Sequence, residues 1–281
     1  MLQKKASIML GLQHWRTRSV TGIFAEFGLE LATEEPVQQA APGLAATGPA
    51  VPDDVEYQQV PYADSTGGGD ERLFGEIGVL KTRSLDASVL RSGVQLDRYQ
   101  VASTGTGDGF RLFLQADQPG SGWNLATFRT REEAICAAND LRRLLVRLNT
   151  ESEGFQVVEH IILRPSSPAT PRDQEIPQEI PEDFYNFTVS VIFPAWTARF
   201  HDEMFRRLAE ETVETYCPAY IYPEFHWLDF PKMREFEGLY QRWLAVKASG
   251  RPDAAEVDAA SALLKKFILL LRAEGLDGKR D

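Results

Sequence analysis

Apolar and polar positions alternate between Gly109 and Ala116, where Phe110, Leu112 and Leu114 share one side and Phe113 takes the other. A period of two is the mark of a strand. Tyr99-Gln100-Val101 opens a strand before it. Pro119-Gly120-Ser121-Gly122 is a turn and Trp123 to Phe128 a further strand, so the runs around the turn read as a hairpin. At Thr130-Arg131-Glu132-Glu133 the period changes. That spacing is a capping box, in which the Thr130 hydroxyl accepts from the Glu133 N–H and the Glu133 carboxylate reaches back. Ala134, Ile135, Ala138, Leu141, Leu144, Leu145 and Leu148 then recur at helical spacing, and Asn149 and Gly154 suit the helix end. Phe155 to Leu163 returns to a β-rich run that stops at Arg164-Pro165. The pattern predicts a small β-β-α-β module over residues 95–165.

A second patterned stretch follows. Phe187, Val189, Val191 and Phe193 alternate with Thr188, Ser190 and Ile192, a strand that Pro194 stops. Phe205, Leu208, Ala209, Thr212 and Tyr216 fall at helical spacing, and Pro218 ends that helix. Tyr220 to Leu228 is a second strand, with Ile221, Pro223, Phe225 and Trp227 at period two; Pro223 marks it as an edge or bulged strand. Asp229 caps a helix with Pro231 in its first turn and Met233, Phe236, Tyr240, Trp243 and Leu244 as its stripe. Asp253-Ala254-Ala255-Glu256 starts another, carrying Val257, Ala260, Leu264, Phe267 and Leu271 at steps of three and four. Residues 184–275 thus read as β-α-β-α-α, and the fold class as α+β with two small mixed modules.

Proline punctuates the rest. Pro36, Pro42, Pro49, Pro52 and Pro61 break an Ala/Gly-rich run, Gly67-Gly68-Gly69 follows, and Arg72 is the one basic residue between Glu30 and Leu80. Such composition buries too little apolar surface to offset chain ordering, so residues 35–94 are expected to be an extended or disordered linker. Residues 166–183 hold Pro168, Pro171, Pro177 and Pro181 with five acids, and read as a second linker. Residues 1–34 carry Trp15, Ile23, Phe24, Phe27, Leu29 and Leu31 in a segment short for a domain, an arm suited to docking on a neighbour.

Composition narrows the function classes. The 281 residues are 43% hydrophobic and 25% charged, enough for ordinary cores without disulfide staples. Thirty basic against forty-one acidic residues leave a net charge of −11, which argues against a nucleic-acid binder. Two cysteines, Cys136 and Cys217, exclude a disulfide scaffold and a multi-cysteine zinc site. No run approaches the roughly 20 apolar residues of a membrane span. Lys4 and Lys5 precede a short apolar stretch, but Gln13, His14 and Arg16 end it too early for a signal peptide. A cytoplasmic protein is the simplest expectation.

Catalytic and metal signatures are weak. His14, His160, His201 and His226 include no pair at i, i+4. Glu224 and His226 share a strand face, but two ligands do not make a metal site. Glu159 and His160 are adjacent and face opposite sides of a strand, poor geometry for a coupled acid and base; the ordinary reading has one buried and the other in solvent. Cys217 ends a helix, where the dipole disfavours a thiolate, and Cys136 fits a core position. Gly105-Thr106-Gly107-Asp108-Gly109 lacks the Lys-Ser/Thr of a phosphate loop and leads into a strand, so a hairpin connection explains it better. Asn186-Phe187-Thr188 is a glycosylation triplet that only a secretory route would use. The expectation is no enzyme, no cofactor and no metal.

Aromatic residues are in surplus. Phe184, Tyr185, Phe187, Phe193, Trp196 and Phe200 crowd one stretch, and Tyr216, Tyr220, Tyr222, Phe225, Trp227 and Phe230 another. A module of this size cannot easily bury them all, and the remainder suits protein–protein contact. The candidate interface or core residues are Phe184, Tyr185, Phe193, Trp196, Phe200, Tyr220, Tyr222 and Trp227, with Glu159, His160 and Arg164.

Two stretches carry a resemblance. Val157-Val158-Glu159-His160-Ile161-Ile162-Leu163-Arg164-Pro165 resembles the Val-Glu-His-Ile-Leu-Leu-Arg-Pro signature of baseplate wedge proteins in phage-tail-like contractile injection systems. After the acidic break, Asp183-Phe184-Tyr185-Asn186-Phe187 through Phe193-Pro194-Ala195-Trp196 is similar to the segment that follows there. The likeness runs on through Arg199-Phe200 to Cys217-Pro218-Ala219-Tyr220, with Tyr220 where a Pro-Ala-His turn is usual, and to Trp227-Leu228. It spans about residues 95–245 and matches only the C-terminal part of the large wedge subunits. The resemblance implies a non-enzymatic structural subunit, present in multiple copies around a tube. Its implied partners are other baseplate subunits and sheath or tube proteins, with no nucleic acid and no direct membrane insertion. Two other readings stay open: a cytosolic adaptor whose β-β-α-β unit binds a peptide or small ligand, and an enzyme whose site the sequence does not display.

Overall fold

The computed structural model describes residues 2–13, 18–32, 57–63, 70–104, 109–116, 121–165, 184–250 and 253–277. The fold is α+β, in agreement with the sequence patterns. Two compact units are each assembled from separated stretches of chain. One takes Val20–Glu153 with Trp196–Asp202; the other takes Met1–Ser19, Gly154–Ala195 and Glu203–Asp281. We call them the meander unit and the crossover unit. In chain order, α1 (Leu2–Met9) belongs to the crossover unit. The elements α2 (Gly22–Glu26), β1 (Glu30–Ala32), β2 (Gln58–Gln59), α3 (Asp70–Glu76), α4 (Gly78–Lys81), β3 (Ser84–Asp86) and α5 (Ala87–Ser92) belong to the meander unit.

The meander unit is centred on β4 (Tyr99–Ser103), β5 (Phe110–Gln115) and β6 (Gly122–Phe128), which with β2 form an antiparallel sheet in the order β2-β4-β5-β6. Thr104 N–H donates to the Gly109 carbonyl at 2.9 Å and Ala116 N–H to the Ser121 carbonyl at 2.9 Å, closing the two hairpins. Residues 105–108, inside the first glycine run, lie outside the described residues. Helix α6 (Arg131–Ser152) starts at the predicted capping box, with both reciprocal hydrogen bonds present. It buries Ala134, Ala138, Leu141, Leu145 and Leu148. Near its end, the Asn149 amide donates to the Leu90 carbonyl at 2.9 Å, while Asn149 Oδ1 accepts from Ala198 N–H at 2.8 Å. That bond and an Arg199–Glu153 ion pair at 2.8 Å hold α7 (Ala198–His201) in this unit.

The crossover unit is built on β7 (Gln156–Glu159), β8 (Thr188–Pro194) and β9 (Tyr222–Leu228), in the order β7-β8-β9. β7 pairs antiparallel to β8, and β9 pairs parallel to it. A parallel pair needs a crossover, and α8 (Glu203–Tyr216) lies between β8 and β9 in the chain and packs with α1. β8 is buried along its whole length, which fits its near-continuous apolar run Val189-Ser190-Val191-Ile192-Phe193. Helices α9 (Phe230–Ala248) and α10 (Ala254–Asp277) form an antiparallel hairpin. It is tied by Trp243 Nε1 donating to Ser261 Oγ at 3.0 Å and by an ion pair of Lys232 with Glu274 at 2.7 Å.

Several expectations are corrected. The expected linker 35–94 contains folded elements: Leu73, Ile77 and Leu80 stand at helical spacing and are buried, as are Leu85, Val89 and Leu90. The acidic bias of that stretch hid its apolar pattern. The expected arm 1–34 does not act as one segment, because Ala6 and Leu10 pack in the crossover unit, while Phe24, Leu29 and Leu31 pack in the meander unit. β7 is not the last strand of a β-β-α-β module; it pairs with β8 across the 166–183 segment, since β8 needs a neighbour on each edge. The strand expected over 155–163 ends at Glu159, where a 3₁₀ turn, His160–Leu163, begins. Trp196 and Phe200 leave the 184–275 module for the meander unit. Residues 33–56, 64–69 and 166–183, which hold most of the expected linker sequence, and Trp15 of the arm lie outside the described residues. Among the described residues, no helix is long and apolar enough to cross a membrane.

Candidate functional site

The two stretches that carry the resemblance meet in the crossover unit, where they build a buried cluster on one face of a sheet and an exposed patch at its end. In parallel register, Ser190 lies opposite Glu224 and Ile192 opposite His226, so these four share a face. Val189, Glu159 and Trp227 occupy the other.

On the first face, the 3₁₀ turn swings the His160 ring beneath β8, fully buried. His160 Nδ1 stands 2.9 Å from the Phe184 carbonyl, which can only accept, so Nδ1 carries the proton. Nε2 is then an acceptor, and the Ser190 hydroxyl donates to it at 2.8 Å. With its proton committed, Ser190 Oγ accepts from His226 Nε2–H at 3.4 Å. Arg272 of α10 closes the cluster. Its Nε and Nη2 each lie 2.6 Å from a Glu224 carboxylate oxygen, a bidentate pair. The guanidinium sits 4.9 Å above the Phe184 ring, on which His160 stacks at 4.3 Å. Arg272 Nη2 is also 3.4 Å from His160 Nδ1, a close positive charge and not a partner, because that nitrogen already donates to the carbonyl.

These surroundings keep both imidazoles neutral. Burial pushes the His160 pKa down to about 4; the Phe184 carbonyl opposes the shift, and Arg272 and His226 add to it. Burial, with Arg272 second, pushes His226 down to about 4. A hydroxyl donating to a neutral imidazole whose other N–H is held by a carbonyl is the arrangement that activates a nucleophile. Here Ser190 and His160 are both 0% exposed, so the pair is closed off from solvent. Glu224 is engaged by Arg272. Among the described residues, no group of three or more His, Cys, Asp or Glu is placed to hold a metal ion.

At the end of the sheet where β8 and β9 begin lies an exposed aromatic patch. Phe187, Tyr220 and Tyr222 are each 69% exposed, and Ile161 is 51% exposed. Phe187 and Tyr220 meet edge to face at 5.9 Å. Phe187 takes φ 50°, a left-handed backbone that is rare for a bulky residue. This conformation directs its carbonyl to accept from Tyr222 N–H at 2.7 Å. A cavity of about 230 Å³ opens beside the patch, lined by Glu159, Ile161, Tyr185, Phe187, Val189 and Ile221 among others. The Tyr185 hydroxyl accepts from Lys265 Nζ at 3.2 Å.

The predicted candidates therefore separate. Phe184 and Phe193 are core of the crossover unit, and Trp196 and Phe200 core of the meander unit. Trp227 is half-buried, stacked on Phe193 at 4.4 Å and donating from Nε1 to Glu210 at 2.7 Å. Tyr185 is half-buried, and Tyr220, Tyr222, Glu159 and Arg164 are exposed. Glu159 and His160 split between solvent and interior as expected, although the 3₁₀ turn and not strand alternation carries His160 inward. Cys217 ends α8, and burial, with Glu214 second, raises its thiol pKa, so it is not primed as a nucleophile. Sequence reasoning missed Ser190 and Arg272. The available signal was a hydroxyl inside the apolar β8 run and an arginine on the apolar helix of Leu264 and Leu271. The chain matches no protein-family model and no curated protein.

Proposed function

We propose that this chain is a structural baseplate subunit of a phage-tail-like contractile injection system, built into a cytoplasmic particle in multiple copies by protein–protein contacts. In this reading it is not an enzyme, takes no cofactor, and binds neither nucleic acid nor membrane. Its partners are other baseplate subunits and sheath or tube proteins. The observation that carries the reading is the joining of the two signature-like stretches. Residues 157–165 and 184–196 are separated by the 18 residues 166–183, and across that break β7 and β8 are paired neighbours, with the turn after β7 tied to β8 by the Ser190–His160 bond. A signature that serves to build a joint, beside an exposed aromatic patch, supports assembly over chemistry.

The test is quantitative mass spectrometry of fast-sedimenting material from a native lysate. Co-sedimentation with sheath and tube proteins at a fixed small-integer ratio is expected. A chain that stays behind while such particles sediment without it refutes the proposal. The cavity beside Phe187 favours a second reading, a binding module for a peptide or small ligand, and that outcome would make ligand screening the next step.

A further inference from the structure

The buried cluster of the crossover unit has a consequence independent of any assembly. We propose that His160, Ser190 and His226, closed by Arg272, form an acid-operated latch: proton uptake by the two imidazoles drives Arg272 out and frees the C-terminal end of α10 from the sheet.

The hydrogen bonds work only with neutral rings. His160 Nε2 must keep its lone pair to accept from Ser190, and Ser190 must keep a lone pair for His226. A proton on His160 Nε2 turns that acceptor into a donor. The Ser190 oxygen then faces two N–H groups, and its own proton is left in a fully buried site without its acceptor.

Charge acts in the same direction. The groups facing the cluster come from each element around it. The 3₁₀ turn supplies His160, β8 supplies the neutral Ser190, β9 supplies Glu224 and His226, and α10 supplies Arg272. Lys265, also on α10, is bonded to the Tyr185 hydroxyl next to Phe184. Glu159 of β7 lines the cavity on the opposite face. At neutral pH, Arg272 and Glu224 balance. Protonation of both rings sets three cationic groups against the single carboxylate of Glu224. A charged His226, with Nε2 4.0 Å from Glu224 Oε2, competes with Arg272 for that carboxylate. Arg272 is the most exposed cation of the cluster, its side chain 18% exposed against 10% for His226 and with His160 fully buried, so it is the one that can leave.

The sign follows from linkage. Both rings are held at about 4 in the closed form, and a released ring returns toward 6.5. The latch is therefore intact above 6.5 and weakens as pH falls from 6.5 toward 4. At pH 5.0 each freed histidine favours the open form by about 30-fold.

Hydrogen–deuterium exchange of the full-length chain at pH 7.5 and 5.0, corrected for intrinsic rates, tests this. Peptides covering 222–228 and 268–277 should exchange at least about tenfold faster at pH 5.0, while peptides of α6 in the meander unit change by less than about threefold. His226→Gln keeps an amide N–H for Ser190 and removes one titrating ring, so it should cut the acceleration at least about threefold. Unchanged protection of both segments in acid overturns the proposal. So does equal loss of protection across both units, or an undiminished response in His226→Gln. If that variant fails to fold at pH 7.5, the imidazole proton resonances of the unsubstituted chain decide. Depressed titration of two histidines together with the local opening supports the latch, and titration of all histidines at or above 6.5 overturns it.

Discussion

Ser190 shows how one hydroxyl can organise a buried site. It donates to His160 and accepts from His226, so it links the 3₁₀ turn, β8 and β9 through one atom. Its methyl replacement leaves two ring nitrogens without partners inside the protein. Ser190→Ala is therefore expected to destabilise the crossover unit by about 1–3 kcal/mol at pH 7.5, measured by urea denaturation. His160 itself was legible in part: the sequence predicted one of Glu159 and His160 buried and the other in solvent, although a 3₁₀ turn, not a strand, carries the ring inward. Its partners were not, because Phe184, Ser190 and Arg272 lie 24, 30 and 112 residues away. Spacing patterns see only near neighbours along the chain.

Local rules succeed at the level of the element. The box at Thr130 and Glu133 forms with both bonds, since it needs only four consecutive residues. Thr130→Ala should cost about 1 kcal/mol, read as a lower urea midpoint for the meander unit with an unchanged denaturant slope. Asp229 likewise caps α9 by accepting from Lys232 N–H at 2.9 Å, with Pro231 in the first turn. Composition was a poorer guide. The segment around Leu73, Ile77 and Leu80 was grouped with a proline-rich acidic stretch, although its own apolar residues have helical spacing and are buried. Spacing alone does not give burial either: Leu208 falls at helical spacing with Phe205 and Thr212, yet it is 52% exposed, and α8 buries Ala209 and Val213.

For the whole molecule, stability and assembly make different demands on aromatic residues. Trp227 stacks on Phe193 and is bonded to Glu210, so Trp227→Ala should lower stability by about 3 kcal/mol in thermal or chemical unfolding. Tyr222 is mostly exposed, so Tyr222→Ala should change stability by less than about 0.5 kcal/mol. Under the proposed function it should nonetheless reduce incorporation into sedimenting particles severalfold, measured by the same mass spectrometry. Full incorporation of Tyr222→Ala would remove this patch from the assembly contacts.

What the sequence determined by itself was local and periodic: the α+β class, the hairpins around β4, β5 and β6, the capped helix α6, and the elements β8, α8, β9, α9 and α10 after residue 184, without the short α7 that stands between β8 and α8. Each follows from side-chain period, turn residues and caps, which act over a few residues. Tertiary structure decided the partnerships. It paired β7 with β8, drew Trp196–Asp202 toward α6, divided residues 2–32 between two units, and set Arg272 over two histidines. Those outcomes depend on burying β8 along both edges and on satisfying polar groups that the chain carries far apart. Such requirements exist only once the chain has closed on itself.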